Sequence, residues 1–155
     1  MKINLEKKLN IYGNNRSTNS ESGQSLVELA FGIVMLLVLL AGIVDLGRAF
    51  FSYMALRDAA QEGALYGSLN PTDSAGIEAR VRATSQNPIN LQDTTNVFVS
   101  STPIGGNCGG NGNGIQVTVS YNFPISMPFI GTIVGSQSFS LSATVTDTII
   151  LPPCS

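Results

Sequence analysis

From Leu29 to Val44 the chain reads Leu-Ala-Phe-Gly-Ile-Val-Met-Leu-Leu-Val-Leu-Leu-Ala-Gly-Ile-Val, 16 residues without a polar side chain, and Leu26 and Val27 extend this run backwards across Glu28. Counted from Leu26 to Val44 the segment has 19 residues. As a helix rising about 1.5 Å per residue it covers roughly 28 Å, close to the ~30 Å hydrocarbon core of a bilayer. A helix apolar on every face over that length is expected to lie in lipid rather than in the core of a soluble domain.

Past Val44 the pattern becomes amphipathic, and neither a proline nor a glycine pair interrupts it before Gly67. Leu46, Ala49, Phe50, Tyr53, Ala60 and Ala64 recur at steps of three, four or seven and are expected to form one face. The prediction is a single helix over residues 24–67, with the membrane span at 26–44. Ala60, Gly63, Ala64 and Gly67 make its last two turns thin, either for a globular domain packed closely on the helix or for contact with another subunit.

Gly67 and Asn70-Pro71 read as a stop and a turn, and a short helix is expected over 74–85. Ile77 and Val81 should face inward, with Ala75 and Ala83 beside them, and Glu78 should lie one turn from Arg82. After Asn87-Pro88 the period switches to two. Ile115, Val117, Val119, Tyr121 and Phe123 alternate with polar residues, as do Phe139, Leu141, Ala143 and Val145. Strands with one buried and one wet face are predicted near 114–123 and 137–149, with a weaker one near 95–101. The fold class expected is α+β: a long N-terminal helix packed on a small antiparallel sheet of about three strands. An exported domain over 68–155 is small, so its core is limited.

Two connections stand out. Gly105 to Gly114 contains Gly110-x-Gly112, which on its face suggests a phosphate cradle, but that motif needs a helix after it and here a strand follows, so a hairpin loop is the better reading. Pro124 to Gly135 is unusually apolar; it either folds over the sheet edge as core or presents Met127, Phe129, Ile130 and Ile133 to a partner or to a membrane surface.

Charge then orients the chain. Residues 1–23 carry Lys2, Lys7, Lys8 and Arg16 against Glu6 and Glu21, a net of plus two, whereas the remainder has four arginines, no lysine and eight acidic residues. By the positive-inside rule the N-terminus stays cytoplasmic and the C-terminal domain is exported, a single-pass topology in the cytoplasmic membrane. No A-x-A pattern follows Val44 and no cysteine directly follows the run to take a lipid, so the helix is expected to remain attached. Asp45 and Arg48, one turn apart at the exit from lipid, either pair, for about 0.2–0.5 kcal/mol, or simply mark the interface. The latter is the simpler expectation.

Gly23-Gln24-Ser25-Leu26-Val27-Glu28, with the apolar helix beginning at once, resembles a class III prepilin signal. The continuation through Asp45-Leu46-Gly47-Arg48-Ala49 to Ala59-Ala60-Gln61-Glu62-Gly63-Ala64 resembles the TadE-like family of pilus-assembly proteins in tight-adherence (Tad) systems, well over Gly23 to about Gly67 and more loosely beyond. The resemblance implies a basic leader over 1–23, cut by a prepilin peptidase between Gly23 and Gln24, and a pilin-like fold. It also implies that Glu28 pairs with the new amine of Gln24 on a neighbouring subunit. From physics alone, Glu28 is either paired in this way or solvated at headgroup depth. Gln24 stands where many type IV pilins have Phe, Leu29 stands where Tad major pilins commonly have an aromatic, and 132 residues would remain after cleavage. These departures favour a minor pilin or pseudopilin over a shaft subunit. The implied partners are the peptidase, other pilin subunits, an inner-membrane assembly platform and, before assembly, membrane lipid. The implied final location is the membrane or an extracellular pilus.

Cys108 and Cys154 are the only cysteines, and in an oxidising compartment they either form a disulfide or remain two free thiols. The chain has no histidine, its acidic residues are scattered, and its two cysteines lack metal-ligand spacing, so no catalytic, cofactor or metal residues are expected. An acidic exported part without a basic patch argues against nucleic acid. Two functions are left: the TadE-like minor pilin, and a single-pass membrane-anchored binding module that keeps its leader.

Overall fold

The computed structural model describes residues 19–84, 86–127, 132 and 135–152. The leader through residue 18, together with Phe129, Ile130, Ile133 and Cys154, lies outside them. The element order is α1 (Asn19–Leu69), α2 (Ser74–Ala83), β1 (Val97–Ile104), β2 (Gly114–Pro124) and β3 (Ser138–Thr148). Helix α1 contains the expected range 24–67 and extends it at both ends. The chain divides into two compact units, Met1–Leu40 and Ala41–Ser155, and α1 contributes to both.

In the first unit the described apolar side chains from Leu26 to Leu40 are exposed along the whole of their helix. In the second, the sheet has the order β1-β2-β3 and both pairings are antiparallel. Val99 faces Val119 across one pairing, and Val119 faces Ala143 across the other. The chain is therefore α+β, a long N-terminal helix packed on a three-stranded antiparallel sheet. The central strand shows the alternation most clearly: Ile115, Val117, Val119 and Phe123 are buried, whereas Tyr121 is half-buried. Pro103 lies on the edge strand β1, where a missing N–H breaks no interior ladder bond.

The core is closed by α1 itself. Leu56, Ala59, Ala60 and Ala64 join Ile77 and Val81 of α2 and Val97, Ile115, Val117, Val119 and Ala143 of the sheet in one buried cluster. Ala75 and Ala83, also expected inward, are exposed, because a ten-residue helix turns only Ile77 and Val81 to the core. The small residues near the end of α1 serve packing within this domain. A Cβ at Gly63 would stand 2.6 Å from Val81 Cγ2, and one at Gly67 would stand 2.9 Å from Ile115 Cγ1.

The inward face of α1 just past the apolar run differs from the expected one. Leu46, Phe50 and Tyr53 are 73%, 60% and 41% exposed, while Asp45, Ser52 and Leu56 are buried. Next to a bilayer the outside is as apolar as a core, so apolar residues there need not turn toward protein. Asp45 turns inward because it meets hydrogen-bond donors.

Helix α2 is capped by Asp73, whose carboxylate accepts from Gly76 N at 2.9 Å and from the Tyr66 hydroxyl at 2.8 Å. The Gly76 amide bond, then the Tyr66 bond, hold the Asp73 carboxyl below its usual 3.8. Donating to that carboxylate raises the Tyr66 pKa above its ordinary value. Asp93 is likewise lowered, first by Asn96 Nδ2 at 2.8 Å and then by Thr95 N at 2.9 Å. A carboxyl with a depressed folded pKa stabilises the fold above its unfolded value, and that contribution disappears as pH falls through the folded one. Thermal melts should therefore lose stability as pH drops below about 3.8. Asp73→Asn should melt lower than wild type at neutral pH and decline less steeply in acid; parallel acid limbs for the two proteins would refute the assignment.

Candidate functional site

The features expected to carry function lie along α1. Gly23, Gln24 and Glu28 are helical and exposed, and a Cβ built on Gly23 meets nothing within 4 Å. Two ion pairs occur among the described residues, Asp45–Arg48 and Glu78–Arg82, and neither involves Glu28. The helix is long and apolar enough to cross a membrane, and none of its apolar window is buried inside the protein. It fits a single-pass membrane anchor.

At the end of the apolar run the structure builds a polar clamp. Asp45 Oδ2 accepts from the backbone N of Ser126 at 2.9 Å and of Met127 at 2.8 Å. Its other oxygen accepts from Arg48 at 3.0 Å. The same guanidinium also donates to the Ser126 hydroxyl and lies 5.3 Å from the centre of the Phe123 ring. Asp45 and Arg48 thus do more than mark an interface: the pair forms, and it fastens the start of the β2–β3 connection to α1. The partners of Asp45 are backbone amides some eighty residues later, and no side-chain pattern announces them. The hint available in sequence was an acid at the end of an apolar run, one turn from an arginine.

Glu78 and Arg82 pair at 2.7 Å as their spacing implied. Arg82 also donates to the carbonyls of Leu91 and Val97, binding α2 to the segment that leads into β1. The glycine-rich segment is the β1–β2 hairpin loop. Gly105 and Gly112 there have φ of 79° and 87°, a left-handed backbone that glycine adopts without strain. Asn113 Nδ2 donates to the Cys108 carbonyl at 2.9 Å, and Gly109 N donates to the Pro152 carbonyl at 2.9 Å. Among the described residues no cluster of three or more His, Cys, Asp or Glu side chains could hold a metal ion.

These features fit a protein with an apolar N-terminal helix of membrane-spanning length, whose second unit is a small helix-on-sheet domain. Residues 23–65 match the family model described as TadE-like protein. The match covers less than half of the chain and lies wholly within α1. Within that compass the chain is similar to TadE-like proteins, a family associated with Tad pili. Neither the curated proteins nor the solved structures yield a match to this chain.

Proposed function

We propose that the chain is a TadE-like minor pilin or pseudopilin of a Tad-type pilus, cut by a prepilin peptidase after Gly23 and incorporated through α1 into the pilus or its assembly complex. The observation that carries this reading is that the TadE-like match opens at Gly23 and runs through Gln24 and Glu28 into the exposed apolar helix. Before assembly the helix anchors the chain in the cytoplasmic membrane, N-terminus inside and domain exported. After cleavage the amine of Gln24 on one subunit meets the Glu28 carboxylate of the next. The apolar helix surface, covered first by lipid, is then covered by other pilin helices.

Mass spectrometry of the mature N-terminus tests the proposal. A chain beginning at Gln24, N-methylated or not, is expected, and Gly23→Ala should leave the leader in place and abolish incorporation. An intact leader on the wild-type chain would overturn it and leave a single-pass anchored binding module.

In an oxidising exterior we further propose a disulfide between Cys108 and Cys154. The Gly109–Pro152 bond supports it by bringing the backbone beside Cys108 close to the chain two residues before Cys154. Closing a loop of this length stabilises a small domain by about 2–4 kcal/mol on the loop-entropy model. A thiol count on denatured exported protein should find no free thiol, and two would refute the bridge.

A further inference from the structure

The clamp at Asp45 places a piece of the exported domain level with the membrane helix. The apolar run ends at Val44, so Gly42 lies about 3 Å inside that boundary at a 1.5 Å rise. A Cβ on Gly42 would stand 3.0 Å from Met127 Cε. The thioether tip of Met127 therefore reaches back from the end of β2 to a helix turn that belongs to the apolar run.

A backbone entering that level leaves water behind, and each N–H then needs a partner within the protein. Ser126 N and Met127 N both have one, the same Asp45 oxygen. The acid that receives them is 8% exposed and is neutralised by Arg48. Polar groups at this point are thus satisfied inside the protein, while the apolar ones are left outside. Ile43, Val44, Leu46 and Phe50 remain largely exposed around the same turns. Leu46, about 3 Å beyond Val44, falls within the roughly 5–7 Å headgroup layer that flanks the hydrocarbon core, and Phe50, about 9 Å beyond, lies just past its outer edge.

We propose that the exported domain makes a second contact with the bilayer through Ile125–Met127. The partner is the lipid surface on the exported side, and Met127 sits at the depth of Gly42. The contact rests on the reading of residues 26–44 as a membrane span. It fixes the height of the sheet above the membrane, because α1 and Ile125–Met127 enter lipid together and Asp45 holds them in register.

The chain contains no tryptophan, so a single introduced one reports alone. The full chain is reconstituted in phosphatidylcholine–phosphatidylglycerol vesicles containing lipids brominated near the carbonyl end of the acyl chain. Met127→Trp should show blue-shifted, quenched emission matching that of Val44→Trp, while Ser142→Trp on the outer face of the sheet should be red-shifted and unquenched. Ile125→Trp leaves the Gly42–Met127 contact in place and repeats the measurement if Met127→Trp disturbs the fold. Adding Asp45→Ala should cost either reporter most of its quenching. Reporters at 127 and 125 that behave like Ser142→Trp while Val44→Trp is quenched would overturn the lipid contact alone. An unquenched Val44→Trp would overturn the membrane span and the contact with it.

Discussion

Gly63→Leu is expected to unfold the helix-on-sheet domain or bring it close to unfolding. A Cβ at this position would meet Val81 Cγ2 at 2.6 Å, Val117 Cγ1 at 3.2 Å and Ile77 Cγ2 at 3.4 Å. All three neighbours are fully buried, so none can swing aside into solvent. Overpacking a filled core costs typically about 1–3 kcal/mol and occasionally more. Leucine adds four carbons against three rigid branched side chains, which puts this case at about 3 kcal/mol or above. A small domain commands only about 5–15 kcal/mol in total. Even Gly63→Ala should lose, because its helix-propensity gain of about 1 kcal/mol is set against a contact far inside normal carbon separation. Gly47→Leu is the matched control, since a Cβ there meets nothing within 4 Å. Melting of the full chain in detergent, followed by near-ultraviolet dichroism and limited proteolysis, should show a large loss for Gly63→Leu and none for Gly47→Leu. Equal melting of Gly63→Leu and wild type would mean that the helix does not sit on the sheet as described.

Glu28→Leu should have the largest effect on function and almost none on the fold. A carboxylate in the apolar zone costs about 2.5–3.5 kcal/mol at the helix centre and less near its edge, so replacing it with leucine makes membrane insertion easier. The variant should accumulate in the membrane at wild-type levels or above and still be cut after Gly23. If the role of Glu28 is to receive the amine of a neighbouring Gln24, the variant should nonetheless be missing from the assembled fraction. Glu28→Gln keeps the size and hydrogen-bonding atoms but not the charge, and should fail in the same direction. Wild-type incorporation of Glu28→Leu would remove the pairing and reduce Glu28 to a solvated acid at the membrane edge.

The parts of the fold written as side-chain periodicity were legible. Sixteen successive apolar residues have one economical conformation beside lipid, and α1 adopts it. Alternation in β2 and β3 announced a sheet with one dry face, and Ala60, Gly63, Ala64 and Gly67 announced a close approach that the sheet and α2 supply. The inward face between Asp45 and Leu56 was not legible, because the rule that apolar residues point to the core presumes water on the other side. Leu46 and Phe50 depart from that rule and are exposed. The Asp45 clamp was hidden for a different reason: the groups it binds are amides of Ser126 and Met127, and every residue except proline carries one. Of the candidate site, Gly23, Gln24 and Glu28 were readable as a spacing, whereas the polar attachment behind the membrane boundary needed coordinates.

The placement of Leu56, Ala59, Ala60 and Ala64 at the centre of the domain has a bearing on release. A protease acting on α1 could not shed an intact domain by cutting after Leu56, because such a cut divides the core. A cut between Asp45 and Leu56 would sever the covalent link between the acceptor of the Ser126 and Met127 amides and the core. The sheet thus depends on the α1 stretch from Asp45 to Ala64 both for its core and for the acceptor of the Ser126 and Met127 amides.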